Sequence, residues 1–382
     1  MKIAIDAAIG LSSFEKGGIY YLLPYFLNTL STLDKKNQYV IFGYFFKNYQ
    51  KKIQNIKIPQ ESNFSLKTLR LPGGLLRNIE QNLHLPLLEY FLKNEKISVY
   101  HGISGSRLPY FKKIKTVYTV HDLSFETHPQ WYKEKWYKDI RLSAERADII
   151  ISPSYLTKKD LINIYHIPEN KIKVVYWGID TDIFYPVNKE KIQRKIIDYS
   201  LPERFILTIV TSSIQRKNTH NLLNAYKILT QNGVKETLVI VTGTDYLKEI
   251  IMEVAKEKHL EENIICYSEI PKTDLTIFYS LAEVFVFPSL YEGFGLPVLE
   301  AMTCGCPVIT SNTSCLPEIV DNAAILVDPY NAEEIANAMK KVLSDENLRQ
   351  QMRKKGLERS KMFSWEKTAR ETLQVYYQAA NI

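Results

Sequence analysis

The stretch "SLYEGFGLPVLEAMTCGCPVIT" (residues 289–310) places one glutamate, Glu292, on a glycine loop and another, Glu300, inside an otherwise apolar run. Burying an ionised carboxylate without donors costs kilocalories, so Glu300 needs partners. The two hydroxyls of a ribose would supply them. Glu292 lies nearer to where the far side of a diphosphate would end, so one ligand with ribose, diphosphate and sugar would meet both acids. The alternative is a Glu300 that faces solvent beside an ordinary loop glutamate. The surroundings suit a ligand site. "EVFVFPS" reads as a buried strand, and Gly293 and Gly295 permit close backbone approach. Pro297 fits the first turn of a short helix over 296–304, and Gly305 fits its end. The N–H groups of Phe294, Gly295 and Leu296 would then face an incoming phosphate. Doubly wound sheets bind ligands at this end, beyond the carboxyl ends of their strands.

The elements that position this loop follow an alternating pattern. Residues 2–6, 39–45, 97–102, 115–122, 148–154 and 171–178 read as strands, with helical segments at 18–33, 78–94, 131–147 and 155–166. The pattern restarts with strands at 204–211, 236–243, 263–269, 284–289, 306–311 and 323–328. Two successive parallel α/β units are expected. The boundary is placed in "DTDIFYPVN" (180–188), with Pro186 ending regular structure. The tail, 363–380, is expected to form a helix with Ser364 as N-cap and Glu366 in the first turn; Lys367 at the third position leaves no full capping box.

A chain of 382 residues exceeds one ordinary core and suits two domains. Its 45% hydrophobic and 24% charged residues are those of a soluble globular protein, and no run approaches the ~20 apolar residues of a bilayer span. The opening "MKIAIDAAIG" has no secretory layout and reads as a first buried strand. Four cysteines without framework spacing fit a reducing cytoplasm. Residues 1–186 carry 26 Lys and Arg against 17 Asp and Glu, a net of +9, which leaves −2 for the remainder of a chain at +7. Aromatics interleave the basic clusters "FFKNYQKKIQNIK" (45–57) and "FKKIK" (111–115). That combination suits peripheral contact with an anionic membrane, and equally a solvated face of a cytoplasmic protein. No recognition motif for nucleic acid accompanies the charge.

"YEGFGLPVLEAMTCGCPVIT" matches the E-x7-E signature of the family 4 retaining glycosyltransferases, and the chain resembles that family nearly end to end. The resemblance is carried by "KGGIYYL", "VYHG", "VHDLSFETHPQWY", "ISPSYLTKKDL", "KIKVVYWGIDTDIFYP", "SSIQRKN", "FVFPSLYEGFGLPVLEAM", "LPEIVDNAAILVDP" and "FSWEKTA". It is nearest to the bacterial mannosyltransferases of surface-polysaccharide, O-antigen-type, assembly. It implies the α/β GT-B fold: two Rossmann-like domains facing across a cleft, 1–186 for the acceptor and 187–362 for the nucleotide-sugar donor. A C-terminal helix, 363–382, would cross back to the first.

The resemblance also implies residue roles. Arg216 and Lys217 would neutralise the donor diphosphate, where departing negative charge must meet fixed cations. Gly17 and Gly18 would approach that diphosphate from the first domain, and Ile270 would line the base pocket. His121 would hold sugar hydroxyls near the reacting carbon. Glu292 would position the donor sugar, and Glu300 the ribose, beside the loop Gly293–Phe294–Gly295–Leu296. His101 and Asp122 are acceptor-side candidates, with Asp122 rather orienting its loop. No catalytic base is named, because front-face attack lets the leaving phosphate take the proton. Two departures, Thr211 and Ser268 where the family often has glycine, bear on the base contacts. "DTD" (180–182) imitates a metal-binding D-x-D but lies in the linker, and "CGC" (304–306) lacks His partners, so buried thiols and no metal cofactor are expected. The implied activity is transfer of a hexose, mannose from GDP-mannose above all, onto a lipid-linked saccharide at the cytoplasmic face of the inner membrane. A UDP-sugar transferase, a non-catalytic partner subunit and a sugar-nucleotide epimerase of the same fold are the alternatives.

Overall fold

The computed structural model describes residues 1–7, 11, 18–70, 86–103, 107–132, 138–211 and 213–381. The chain divides into two units, Met1–Gly178 with Ser364–Ile382, and Ile179–Phe363.

In unit 1 the strands are β1 (Lys2–Asp6), β2 (Gln38–Tyr44), β3 (Phe64–Leu69), β4 (Val99–Gly102), β5 (Lys115–Thr119), β6 (Ile149–Ser152) and β7 (Ile172–Val174). They pair in the order β3-β2-β1-β4-β5-β6-β7, and every ladder is parallel. Unit 2 holds β8 (Phe205–Val210), β9 (Thr237–Thr242), β10 (Ile264–Ser268), β11 (Val284–Phe287), β12 (Val308–Ser311) and β13 (Ile325–Val327). Its order is β10-β9-β8-β11-β12-β13, again wholly parallel. Parallel strands must be joined by crossovers that put helices on both faces, so central strands read as unbroken apolar runs. β8, "FILTIV", is buried at all six positions. In both sheets the order reverses direction between the first and fourth strands, which opens a crevice beyond their carboxyl ends.

Of the thirteen strands among the described residues, twelve overlap the segments that the sequence pattern marks, most of them trimmed at the ends and β2 shifted by one residue. The exception is β3, "FSLKTL": among the described residues it is an edge strand paired with β2 alone, and past Phe64 none of its residues is buried, so it carries little apolar signal. The helix expected at 18–33 spans Gly18–Leu33, and that expected at 155–166 spans Tyr155–Tyr165. Those expected at 78–94 and 131–147 are described as Leu87–Leu92 and Lys138–Arg146. Residues 71–85 and 133–137, and Gly17, lie outside the described residues.

The division falls at Gly178/Ile179 rather than after Pro186, for a reason visible in the hydrogen bonds. The Tyr185 carbonyl accepts from the Thr276 hydroxyl at 3.0 Å, and the Val187 N–H donates to Ser280 at 3.2 Å. Phe184 is fully buried against Tyr279. The connecting segment is therefore part of unit 2. Within it, the Asp180 carboxylate accepts from the Asp182 N–H at 2.9 Å, so this acid closes a local turn.

The last helix, Trp365–Ala380, belongs to unit 1, capped by Ser364, which accepts from the Lys367 N–H at 3.1 Å. Thr368 donates to the Tyr176 carbonyl at 2.7 Å, and Tyr376 lies 2.7 Å from His101. Gly178 makes this docking fit. A Cβ there would stand 2.2 Å from the Trp365 backbone nitrogen and 2.6 Å from its Cα. Backbone cannot rotate away, so Gly178→Ala is expected to destabilise unit 1 by about 2–3 kcal/mol, the size of other overpacking defects. Thermal denaturation checks this; an unchanged midpoint would mean that the helix is not held there.

Candidate functional site

In unit 2 the crevice lies where β8 and β11 run side by side. After β8 the chain turns through Arg216 and Lys217 into the helix Thr219–Gln231; after β11 it enters the loop that carries Glu292. The two loops are joined. The Leu290 N–H donates to the Arg216 carbonyl at 2.9 Å. The Asn218 amide donates to Pro288 and Pro329 carbonyls at 3.1 and 2.6 Å.

Their side chains form one buried ionic cluster. Lys217 Nζ is 2.5 Å from Glu292 Oε1, and Arg216 Nη2 is 3.5 Å from Oε2. Ser289 donates to Oε1 at 2.6 Å, and Arg216 Nε donates to the Tyr291 carbonyl at 2.9 Å. Lys217 Nζ also lies 4.7 Å from the centre of the Phe287 ring. Glu292 is 6% exposed and Lys217 8%. Burial pushes the Glu292 carboxyl up, but the charges of Lys217 and Arg216, with the Lys217 and Ser289 hydrogen bonds, more than offset it. The acid is held below its ordinary value. Among the described residues two cations thus converge on one carboxylate, an arrangement of the kind that receives an anion.

The glycine loop continues this surface. Gly295 has φ 86°, a left-handed conformation that favours glycine, and a Cβ there would also press on the Leu316 side chain at 2.8 Å. It caps the helix Leu296–Thr303 with Pro297 in the first turn. Ser314, from the turn after β12, accepts from the Glu292 N–H at 2.7 Å and donates to the Glu292 carbonyl at 2.9 Å. Gly293, Phe294 and Gly295 are buried within this frame, and Leu296 is partly exposed.

Glu300 is 7% exposed, one turn into that helix. Its donors come from the chain itself: the Tyr279 hydroxyl at 2.9 Å and Lys272 Nζ at 3.4 Å. Burial first, then Glu300, raises the Tyr279 hydroxyl's pKa, so it stays protonated and donates. The expectation that Glu300 requires a ligand's hydroxyls for pairing is thus corrected, although each carboxylate oxygen retains accepting capacity. At the ends of β8, β9 and β10, the Gly243 N–H donates to the Val210 carbonyl at 3.3 Å, Ser268 donates to Asp245, and Ile270 is half-buried. Both departures from the family pattern, Thr211 and Ser268, sit at these strand ends.

In unit 1, His121 follows β5 and lies 2.7 Å from the Ile103 carbonyl through Nε2. This fixes the proton on Nε2 and leaves Nδ1 as an acceptor. The ring stacks on Trp177 at 5.7 Å. Burial lowers its pKa against the smaller opposing effects of Ile103 and Asp122, which keeps the ring neutral. Asp122 accepts from the Ser124 N–H and hydroxyl at 3.0 and 2.6 Å, fixing its loop. His101 is corrected as an acceptor-side candidate: it is 1% exposed. Its nitrogens are taken by the Tyr376 and Thr119 hydroxyls at 2.7 and 2.8 Å. Burial, then the nearby His121, brings it down to about 3. Gly18 opens the helix Gly18–Leu33.

Sequence reasoning missed Ser289, Ser314, Tyr279 and Lys272. Only Ser289, three residues before Glu292, carried a local signal; the others reach the acids from separate elements. All four cysteines are free and buried. Among the described residues no group of three or more His, Cys, Asp or Glu is placed to hold a metal.

A folded-state pKa below the unfolded one gives stability that is present above the ordinary carboxylate value of 4.5 and lost as pH falls through the lowered value. Glu292→Gln is therefore expected to cost about 3 kcal/mol at neutral pH, because two buried cations lose their counter-charge. Urea unfolding of both proteins across pH checks this. The difference should shrink on acidification, and a gap constant into strong acid would contradict the assignment.

Residues 191–359 match the family model described as Glycosyl transferases group 1, and residues 59–183 the one described as Glycosyltransferase Family 4. Over 334 residues the chain is 29% identical to O-antigen chain mannosyltransferase B of Escherichia coli, covering 84% of this chain and 87% of that protein. Among solved structures it resembles sucrose-phosphate synthase from Thermosynechococcus elongatus, with a TM-score of 0.76 and 22% identity over 99% of this chain and 98% of that one. It also resembles Anabaena Alr3699/HepE in complex with UDP and glucose, with a TM-score of 0.71 and 17% identity over 99% of this chain and 100% of that one. These likenesses show a GT-B fold. With both family models matched in order, and the ionic cluster and glycine loop on the second, the chain belongs to the family 4 glycosyltransferases and is similar to bacterial O-antigen mannosyltransferases.

Proposed function

We propose that the protein is a retaining hexosyltransferase that takes mannose from GDP-mannose and adds it to a lipid-linked oligosaccharide in surface-polysaccharide synthesis. The observation that carries this is the buried Arg216–Glu292–Lys217 cluster at the strand-order reversal of unit 2, with its two cations beside a glycine-capped helix start. Its likeness to O-antigen chain mannosyltransferase B supports the choice of sugar.

In this reading Arg216 and Lys217 meet the donor diphosphate, and the loop Gly293–Leu296 offers backbone N–H groups to it. Glu292 holds both cations aimed and desolvated, and Glu300 accepts a ribose hydroxyl while Tyr279 and Lys272 fix its carboxylate. Ile270 lines the base pocket. His121, neutral and with Nδ1 open, is the unit 1 group suited to accept a saccharide hydroxyl. The acceptor's hydroxyl oxygen bonds to the anomeric carbon as the bond to the diphosphate breaks. The proton passes to the leaving phosphate on the same face, so configuration is retained. Fixed cations stabilise the charge that develops on the leaving group, and no metal cofactor is invoked.

Action at the cytoplasmic membrane face is part of the proposal. It is supported by the positive surplus of residues 1–186 and by exposed Tyr90 and Phe91. Beside them the Glu89 carboxylate accepts from the Lys112 and Lys113 N–H groups. Among the described residues no helix is long and apolar enough to cross a membrane.

Calorimetric titration with GDP, UDP and their sugars tests the donor. GDP-mannose is expected to bind best, and Lys217→Ala and Glu300→Ala to weaken it by about 1.5–3 kcal/mol each, the scale of a charge-assisted hydrogen bond. A clear preference for UDP-sugars, the ligand class in the Alr3699/HepE complex, would replace mannose with another sugar; no nucleotide binding at all would favour a non-catalytic subunit. His121→Ala should lower kcat more than affinity. In the wild type the acid limb of kcat should lie below the ordinary histidine value of 6.5, because the ring must stay neutral. Normal turnover in His121→Ala would remove its role.

A further inference from the structure

Unit 1 carries a second concavity, a groove of about 530 Å³ between the outer strand β7, the helix Tyr155–Tyr165 and the last helix. This volume lies within the ~300–1,000 Å³ of small-ligand clefts. Among the described residues β7 ends the sheet, and its Ile172, Lys173 and Val174 line the groove. From the last helix come Glu371, Gln374 and Gln378, spaced three and four residues apart and so on one helix face. Asn170 and Lys173 line the opposite side, and Tyr155 stands at the rim with 61% of its surface exposed.

The chemistry of the lining narrows the ligand. Its charged groups are Lys158 and Lys173 against Glu169 and Glu371, and the first cation is already paired with Glu169 at 2.8 Å. With no charge surplus, the groove has no attraction for a nucleotide or a phosphate. Polar side chains dominate the exposed lining, which disfavours an acyl chain. The side-chain amides of Asn170, Gln374 and Gln378 have no hydrogen-bond partner among the described residues. Each offers donors and an acceptor together, as paired hydroxyls require. Burial raises the Glu371 carboxyl against the weaker effect of Lys367, whose ammonium lies 4.0 Å away. An exposed tyrosine adds an apolar ring face with a polar tip, suited to the C–H face of a sugar.

We propose that this groove is a saccharide-holding site that grips a neutral stretch of glycan, the already built part of the acceptor, by amide hydrogen bonds and by stacking on Tyr155. The identity of that glycan as acceptor rests on the function proposed above; the binding itself does not.

Native electrophoresis of the whole protein through gels containing a neutral α-linked mannan tests the site, with dextran as the comparison glycan. The wild type is expected to be retarded by mannan. Retention should fall at least fivefold in Tyr155→Ala and in the Gln374→Ala/Gln378→Ala double variant, and persist in Tyr155→Phe, which keeps the ring. All these side chains are exposed, so melting temperature and affinity for nucleoside diphosphate should not change. An unretarded wild type, or equal retention in wild type and Tyr155→Ala, overturns the proposal, as does capture of an extended peptide along β7 without glycan retention. Sugar transfer assayed in parallel separates the two readings. Intact transfer with retention indifferent to Tyr155 removes this site alone; Tyr155-dependent retention without transfer or nucleotide binding removes the enzymatic reading and leaves the site.

Discussion

Burying a carboxylate costs several kilocalories per mole unless its charge and lone pairs are met, and the second unit is organised around meeting that cost at Glu292. Lys217 and Arg216 come from the turn after β8, Ser289 from the end of β11, and Ser314 from the turn after β12. Three consecutive strand ends are thereby locked to one residue. Lys217 is almost wholly enclosed, so its ammonium cannot relax onto solvent. In the function proposed above, charge held in this way would act without reorganisation at the moment of reaction.

The parallel sheet makes such convergence possible. All its strands end on the same side, and where the order reverses, neighbouring loops diverge and leave room between them. β8 and β11 are those neighbours in unit 2. The glycine loop then adds a constraint of its own: Gly295 has φ 86°, and the Leu316 side chain, from the separate helix Leu316–Val320, packs where a Cβ would stand.

Two histidines of unit 1 show how depth decides role. His101 lies within β4, enclosed by its neighbours, and spends both nitrogens on Thr119 and Tyr376. It thereby ties the last helix to the sheet. His121 sits past the end of β5, with one nitrogen fixed by Ile103 and the other open. A displacement of a few residues along adjacent parallel strands turns a structural fastening into a group able to accept a hydroxyl.

Strand and helix order, the division into two α/β units, the Ser364 cap and the glycine-loop motif with Glu292 and Glu300 were all legible in the sequence, because each is set by local periodicity, turn chemistry or close spacing. β3 was not, since a half-polar edge strand buries too little to leave a pattern. The partners of the acids were also hidden: Tyr279 and Lys272 reach Glu300, and Ser314 reaches Glu292, only through the packing of separate elements. The same holds for the burial of His101, the allegiance of the linker to unit 2, and the groove beside β7. The sequence alone determined which residues could do chemistry; the tertiary structure decided which are paired, buried or open, because desolvation and hydrogen-bond geometry depend on neighbours distant along the chain.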